Sequence, residues 1–179
     1  MTSGFSKLGE EELFAGKVFR LVRSTFRGPD GGEFERHIVQ HPGAVAVVPL
    51  HDDGTVSLVR QYRVALEHDL LEVPAGTRDV VGEDERVTAA RELTEEAGLA
   101  AGSMEHLITF FNAPGISDES ISLFLARHLT EVDHDRQSEE EHAMTVERFP
   151  LDLALEMIEN GRITDAKTII GLTLTARRR

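Results

Sequence analysis

Two segments decide how this chain is organised: Leu71-Glu-Val-Pro-Ala-Gly76 and, after a short loop, Glu83-Asp-Glu-Arg-Val-Thr-Ala-Ala-Arg-Glu-Leu-Thr-Glu-Glu-Ala-Gly98-Leu99. The Pro-Ala-Gly turn after an apolar run predicts that a strand ends near Val73. The residues from Asp84 to Ala97 are predicted to form a helix. Gly98 is expected to end it, because glycine adopts a left-handed backbone without steric cost.

The predicted helix carries an acidic face opposite an apolar stripe. The residues expected to face a core are Val87, Ala90, Leu93 and Ala97. On the other side, Arg91 can pair with Glu95 at i+4, which leaves Glu92 and Glu96 as like charges one turn apart. Carboxylates on a rigid backbone are typical ligands of hard divalent cations such as Mg²⁺ and Mn²⁺. The alternative interpretation is a solvated acidic helix face.

This pattern resembles the signature of the Nudix hydrolases, whose second half reads Glu-x7-Arg-Glu-apolar-x-Glu-Glu-x-Gly-apolar. Residues Glu83 to Leu99 match that half without a gap, but six residues instead of five separate Gly76 from Glu83. The extra residue lies in the loop before the helix, where it should not change the helical register. The resemblance implies an α/β/α sandwich and bound Mg²⁺ or Mn²⁺. The metal ligands that it implies are Glu92, Glu96 and the backbone carbonyl of Ala75.

Outside the signature, the chain is similar to the ADP-ribose pyrophosphatase subgroup. Pro114, fifteen residues beyond Leu99, resembles a proline marker of that subgroup, and the Asp165-Ala-Lys-Thr segment is also similar. The resemblance implies hydrolysis of ADP-ribose to AMP and ribose 5-phosphate. The residues expected to bind substrate are Arg60, Arg63, Glu72, Pro114, Gly115, Asp118 and Glu119. For the two arginines the alternative is solvation at a strand end, and for Glu72 it is a cross-strand ion pair.

The resemblance also suggests catalytic roles. Glu95 is expected to orient Arg91 or to join an outer metal ion. The general base of the subgroup often lies in a loop after the signature, and the acidic run 139–141 occupies that place. We predict Glu141 as the base, with Glu140 as the second candidate, on a loop that closes over bound substrate. A solvated and inert acidic run is the alternative.

Composition limits the class of protein. The chain has 179 residues, enough for one domain with a sizeable core, and its formal net charge is −13. That charge argues against a nucleic-acid partner, since DNA and RNA attract basic surfaces. The chain has no cysteine, which excludes disulfides and thiolate ligands. No apolar run has the length of a membrane span or a signal peptide, so we expect no membrane partner and a cytoplasmic location.

Element patterns predict an α/β (α+β) fold. Residues 1–16 are polar and contain several glycines, so we expect a loose start, followed by a hairpin of 17–26 with 34–40. Residues 1–43 are predicted to form a β extension that packs in a homodimer, and 44–179 a single Nudix domain. Two short C-terminal helices are expected, the second capped by Thr164.

Two other functions stay open at this point. One is a Nudix hydrolase for another nucleoside diphosphate derivative, such as a nucleotide-sugar, NADH or a dinucleoside polyphosphate. The other is a Nudix-fold module that binds a nucleotide without cleaving it. Such modules usually lose one of the metal carboxylates, whereas Glu92, Glu95 and Glu96 are all present here.

Overall fold

The computed structural model describes residues 4–134 and 143–178, which divide into two compact units. The first unit is drawn from Met1–Gly43 and Phe111–Ser120, and the second from Ala44–Phe110 and Ile121–Arg179. The strands of the described residues are β1 (Ser6–Ala15), β2 (Arg20–Arg27), β3 (Glu33–Gln40), β4 (Ala44–Pro49), β5 (Thr55–Arg63), β6 (His68–Glu72), β7 (Ala75–Thr77), β8 (Leu99–Phe111), β9 (Ser120–Glu131) and β10 (Thr145–Pro150). The helices are α1 (Glu85–Ala97), α2 (Leu151–Glu159) and α3 (Ala166–Ala176).

The first unit contains a three-stranded antiparallel sheet in the order β1-β2-β3. The predicted hairpin is present as β2 and β3, with Phe26 opposite Phe34. The expectation of a loose start is wrong, because Ser6–Ala15 forms β1 along β2. Every residue of β1 is exposed, so the strand has no alternation of apolar and polar residues by which the sequence could reveal it.

The second unit contains two sheets. One is antiparallel in the order β10-β5-β6, and the other has the order β7-β4-β9-β8. In the second sheet β4 runs parallel to β9 and antiparallel to β7, with Ala46 opposite Ala75. The sheet is therefore mixed, and it holds the Pro-Ala-Gly segment next to a central buried strand.

Strand β4 is apolar throughout because both of its faces are buried. Val45 and Val47 pack in one cluster with Leu93 of α1, while Ala46 and Val48 pack in another with residues of α2 and α3. This arrangement is the α/β/α sandwich of mixed sheets that the sequence predicts. No helix in residues 4–134 or 143–178 is long and apolar enough to cross a membrane.

Helix α1 begins and ends as predicted. The Asp84 side chain caps it by accepting a hydrogen bond from the Arg86 backbone N–H, and Gly98 ends it with φ 63°. The predicted apolar stripe is only half right, because Leu93 and Ala97 are buried whereas Val87 and Ala90 are exposed. Helix α3 is capped by Asp165 instead of Thr164: its carboxylate accepts from the backbone N–H and the hydroxyl of Thr168.

Candidate active site

Two of the carboxylates of α1 are buried in the second unit. Glu92 and Glu96 are only 8% and 6% exposed, so the interpretation of this face as a solvent side of the helix is wrong. The backbone N–H of Ala75 donates to the Glu96 Oε2 atom over 2.9 Å. Burial, opposed by this hydrogen bond and reinforced by the charge of Glu92, raises the pKa of Glu96 to about 8. Burial therefore disfavours the ionised form of Glu96, and the neighbouring charge of Glu92 adds to that effect.

Gly76 makes room for the Glu92 carboxylate. A Cβ atom added at Gly76 would lie 2.0 Å from the Cδ atom of Glu92 and 2.2 Å from each of its carboxylate oxygens. Every residue other than glycine would thus occupy the position of the carboxylate itself. The Pro-Ala-Gly segment predicted as a turn from the sequence thus lies directly against the Glu92 carboxylate in the structure.

Arg91 links the acidic side chains of this region. Its Nη1 atom lies 2.8 Å from Glu92 and 2.9 Å from Glu95, and its Nη2 atom lies 3.5 Å from Glu83. Burial acts to lower the pKa of Arg91, but the charges of Glu92, Glu95 and Glu83 outweigh it and raise that pKa. Glu83 also accepts a hydrogen bond from the hydroxyl of Thr88 over 2.7 Å. The extra residue in the preceding loop therefore does not remove Glu83 from the cluster.

A second charged group lies where β5 and β6 end. Arg63 donates from Nε and Nη2 to the two carboxylate oxygens of Glu72, over 2.7 and 2.6 Å. Lys167 of α3 donates to the same Glu72 carboxylate and, over 3.0 Å, to Asp165. The charges of Arg63 and Lys167 act on Glu96 and favour its ionised form. The ion pair considered for Glu72 is thus present, and Lys167 joins Arg63 as a second cation on the same carboxylate.

Lys167, like Asp165, belongs to this group although the sequence pattern predicted no role for it. Its side chain is the single cation among the apolar residues of α3 and lies in the first turn, where the helix dipole disfavours positive charge. A buried cation at this position requires anions beside it, and this requirement is the signal by which Lys167 could have been found.

Arg60, by contrast, is paired across the strands with Glu147, over 2.5 Å from Nε to Oε1.

The predicted substrate residues around Pro114 belong to the first unit. The Asp118 carboxylate accepts from the backbone N–H of His41 over 2.8 Å, and Glu119 accepts from Asn112 over 3.1 Å. Within this unit, Pro114, Gly115 and Asp118 line a cavity of about 540 Å³ together with aromatic residues of the sheet. Glu140 and Glu141, the predicted bases, lie outside the described residues.

The donor set suits a hard divalent cation. Glu92 and Glu96 are two buried carboxylates one helical turn apart, and Gly76 leaves room for one of them. No group of three or more His, Cys, Asp or Glu side chains in the described parts of the chain forms a metal cage. Mg²⁺ is nevertheless commonly bound in proteins by one or two carboxylates, with water and substrate oxygens as its remaining ligands.

Fold and site together define an α/β/α sandwich in which buried glutamates of α1 lie beside Arg91. The sequence profile of the NUDIX domain matches residues 40–170. The chain belongs to the Nudix family, so the resemblance drawn from the signature is confirmed.

Individual proteins are similar to this chain over most of its length. ADP-ribose pyrophosphatase from Mycobacterium tuberculosis is 40% identical over 168 residues, which cover 94% of this chain and 81% of that protein. The methanol dehydrogenase activator of Bacillus methanolicus is also 40% identical, over 162 residues that cover 90% of this chain and 87% of that protein. A solved structure described as an ADP compounds hydrolase has a TM-score of 0.84 and 22% identity, covering 97% of this chain and 93% of its own, which supports the fold.

Proposed function

We propose that this protein hydrolyses the diphosphate bond of ADP-ribose, giving AMP and ribose 5-phosphate, with Mg²⁺ or Mn²⁺ as cofactor. The observation that carries the proposal is the buried pair of Glu92 and Glu96. Gly76 leaves room for the Glu92 carboxylate, and the charge of Arg63 acts on Glu96. The relative from Mycobacterium tuberculosis that shares 40% of its residues is named for this reaction. The helix glutamates Glu92, Glu95 and Glu96 are all retained, which favours an enzyme over a binding module.

In this proposal different side chains bind the metal ion, orient its ligands and bind the diphosphate. Glu92, Glu96 and the Ala75 carbonyl hold the divalent cation, which supplies positive charge for the diphosphate and makes water more acidic. Arg91 orients Glu92 and Glu95 through its two short contacts. Arg63 offers the part of its guanidinium that Glu72 does not use to a phosphate oxygen. The residues proposed to contact substrate beyond these are Arg60, Pro114, Gly115, Asp118 and Glu119.

The experiment that tests the function is product analysis with a substrate panel. The purified protein is incubated with Mg²⁺, and separately with Mn²⁺, and with ADP-ribose, ADP-glucose, GDP-mannose, NADH or diadenosine polyphosphates. We expect preferential release of AMP and ribose 5-phosphate from ADP-ribose. Preferential cleavage of another compound would keep the hydrolase and overturn the substrate. Thermal stabilisation by ADP-ribose with metal, and no cleavage of any compound, would support the binding module instead.

The general base is proposed to be Glu141. Replacing Glu141 with glutamine is expected to lower kcat by about 100- to 10,000-fold, because a general base contributes roughly that factor. Mn²⁺ affinity, measured by electron paramagnetic resonance, should stay unchanged. Glu139→Gln is the matched control in the same acidic run, and Glu140→Gln tests the second candidate. Normal turnover in Glu141→Gln would assign the base to another residue.

We also propose that the protein is a homodimer formed through the first unit. Large exposed apolar side chains are concentrated on β1 and in the residues flanking it, and clustered apolar side chains of this kind favour a protein–protein interface. These residues are Phe5, Leu8, Leu13, Phe14, Val18 and Phe19. Sedimentation equilibrium is expected to give twice the chain mass, and Leu8→Lys with Phe14→Lys should give the monomer mass. Leu153→Lys, an exposed apolar residue of α2, is the control, and a monomeric parent protein would refute the proposal.

A further inference from the structure

Glu72 is almost completely enclosed, being 1% exposed, and both of its carboxylate oxygens accept hydrogen bonds from Arg63. A substrate could reach this carboxylate only by displacing those bonds. Arg63 is different, because 39% of its side chain is exposed and its Nη1 atom takes no part in the pairing with Glu72. A planar guanidinium held by one edge presents its other edge in a fixed direction.

Lys167 completes the charge balance of this group. It is 8% exposed and donates to Glu72 and to Asp165, so two cations and two carboxylates share one network, of which Glu72 and Lys167 are buried. Burial acts to raise the pKa of Glu72, but the hydrogen bonds and charges of Arg63 and Lys167 outweigh burial and hold that pKa below its usual value. Without Lys167, a single arginine would face two carboxylates, and buried charge without a partner is costly.

The position of Lys167 is fixed by the start of α3. Asp165 caps this helix by accepting from the backbone N–H of Thr168 over 2.9 Å and from its hydroxyl over 2.6 Å. The same hydroxyl oxygen accepts from the backbone N–H of Val73 over 2.9 Å. The network thus extends from Arg63 to Val73, which follows β6 and lies two residues before Ala75.

We propose that Lys167 is a positioning residue for substrate binding: with Asp165 it holds Glu72, and Glu72 holds Arg63 with its free edge towards the substrate diphosphate. Glu72 then acts through Arg63 and does not contact the substrate. The inference rests on the proposed function in so far as Arg63 is taken to bind the diphosphate. It assigns to the Asp165-Ala-Lys-Thr segment a role in substrate affinity.

A double-mutant cycle tests this inference. We expect Lys167→Met to raise the KM for ADP-ribose about tenfold, the usual scale for a charge-assisted hydrogen bond, with a smaller change in kcat. Arg63→Ala should raise the KM by at least as much. If Lys167 acts through Arg63, adding Lys167→Met to Arg63→Ala should leave the KM where Arg63→Ala alone puts it. Arg162→Met, an exposed cation five residues earlier, should match the parent protein.

The same four proteins are also compared without turnover: calorimetry gives the dissociation constant of inorganic pyrophosphate for each of them in the presence of Mg²⁺. A parent protein that does not cleave ADP-ribose would refute the proposed function, while the coupling in pyrophosphate binding would still decide this inference. The inference would be overturned if the effects of Lys167→Met and Arg63→Ala on KM multiplied in the double variant, because a purely structural lysine would act whether or not Arg63 is present. A fall in kcat with KM unchanged would overturn it as well. If Lys167→Met does not fold, Asp165→Asn replaces it, since the amide can still cap α3 without neutralising Lys167.

Discussion

Replacing Glu96 with glutamine is expected to lower kcat for ADP-ribose by at least about a hundredfold, since even the outer-shell partners of metal ligands cost roughly 10- to 100-fold when changed. The substitution keeps the shape of the side chain, and the amide oxygen can still accept from the Ala75 N–H that Glu96 binds over 2.9 Å. It removes the negative charge that a cation requires. Turnover and Mn²⁺ binding should fall together.

Stability distinguishes this loss from unfolding. With its pKa raised to about 8, Glu96 must either stay ionised in a buried place or take up a proton when the metal-free protein folds. A neutral amide avoids both costs, so the melting temperature of the metal-free Glu96→Gln variant should equal or exceed that of the parent protein. Glu159→Gln, on an exposed end of α2, is the matched control and should change neither turnover nor Mn²⁺ binding. Near-normal turnover of Glu96→Gln at limiting Mg²⁺ would show that Glu96 is not a metal ligand.

The helix that carries Glu96 could be predicted from the sequence, but its orientation could not. Capping residues and a terminal glycine act locally, so Asp84 and Gly98 mark its ends correctly. The buried face depends on which neighbours surround the helix. Because β7 lies against Glu92 and Glu96, the face of α1 that carries these two carboxylates is buried, and Val87 and Ala90 are exposed to solvent. A rule that places apolar residues inside and charges outside fails at a functional site.

The charged group at the end of β5 shows the same limit. The sequence places Arg63 and Glu72 on neighbouring strands, so an ion pair between them could be considered in advance. Lys167 is separated from Glu72 by 95 positions, and only the packing of α3 brings the two together. Strand β1 is a third case, because its pairing with β2 is made by backbone hydrogen bonds and leaves no pattern of buried side chains.

Replacing Gly76 with alanine is expected to be the other most damaging single change. The added methyl group would lie 2.0 Å from the Glu92 carboxylate carbon, so the carboxylate would have to retreat about 1.4 Å to reach an ordinary contact of 3.4 Å. A displacement of about 1 Å can cost a hundredfold in rate, and we expect a fall in kcat/KM of that size. The end of a glutamate can move, so the free energy of unfolding should fall by only about 1–3 kcal/mol.

A compensating substitution separates this cause from a general effect of alanine. Glu92→Asp shortens the side chain by one methylene and leaves space for the methyl group, so Gly76→Ala combined with Glu92→Asp should be more active than Gly76→Ala alone. Gly9→Ala is the control, because a Cβ at Gly9 meets no atom within 4 Å. Parental kcat/KM in Gly76→Ala would mean that the Glu92 carboxylate works from another position. No recovery in the double variant would mean that Gly76 acts through something other than room for Glu92.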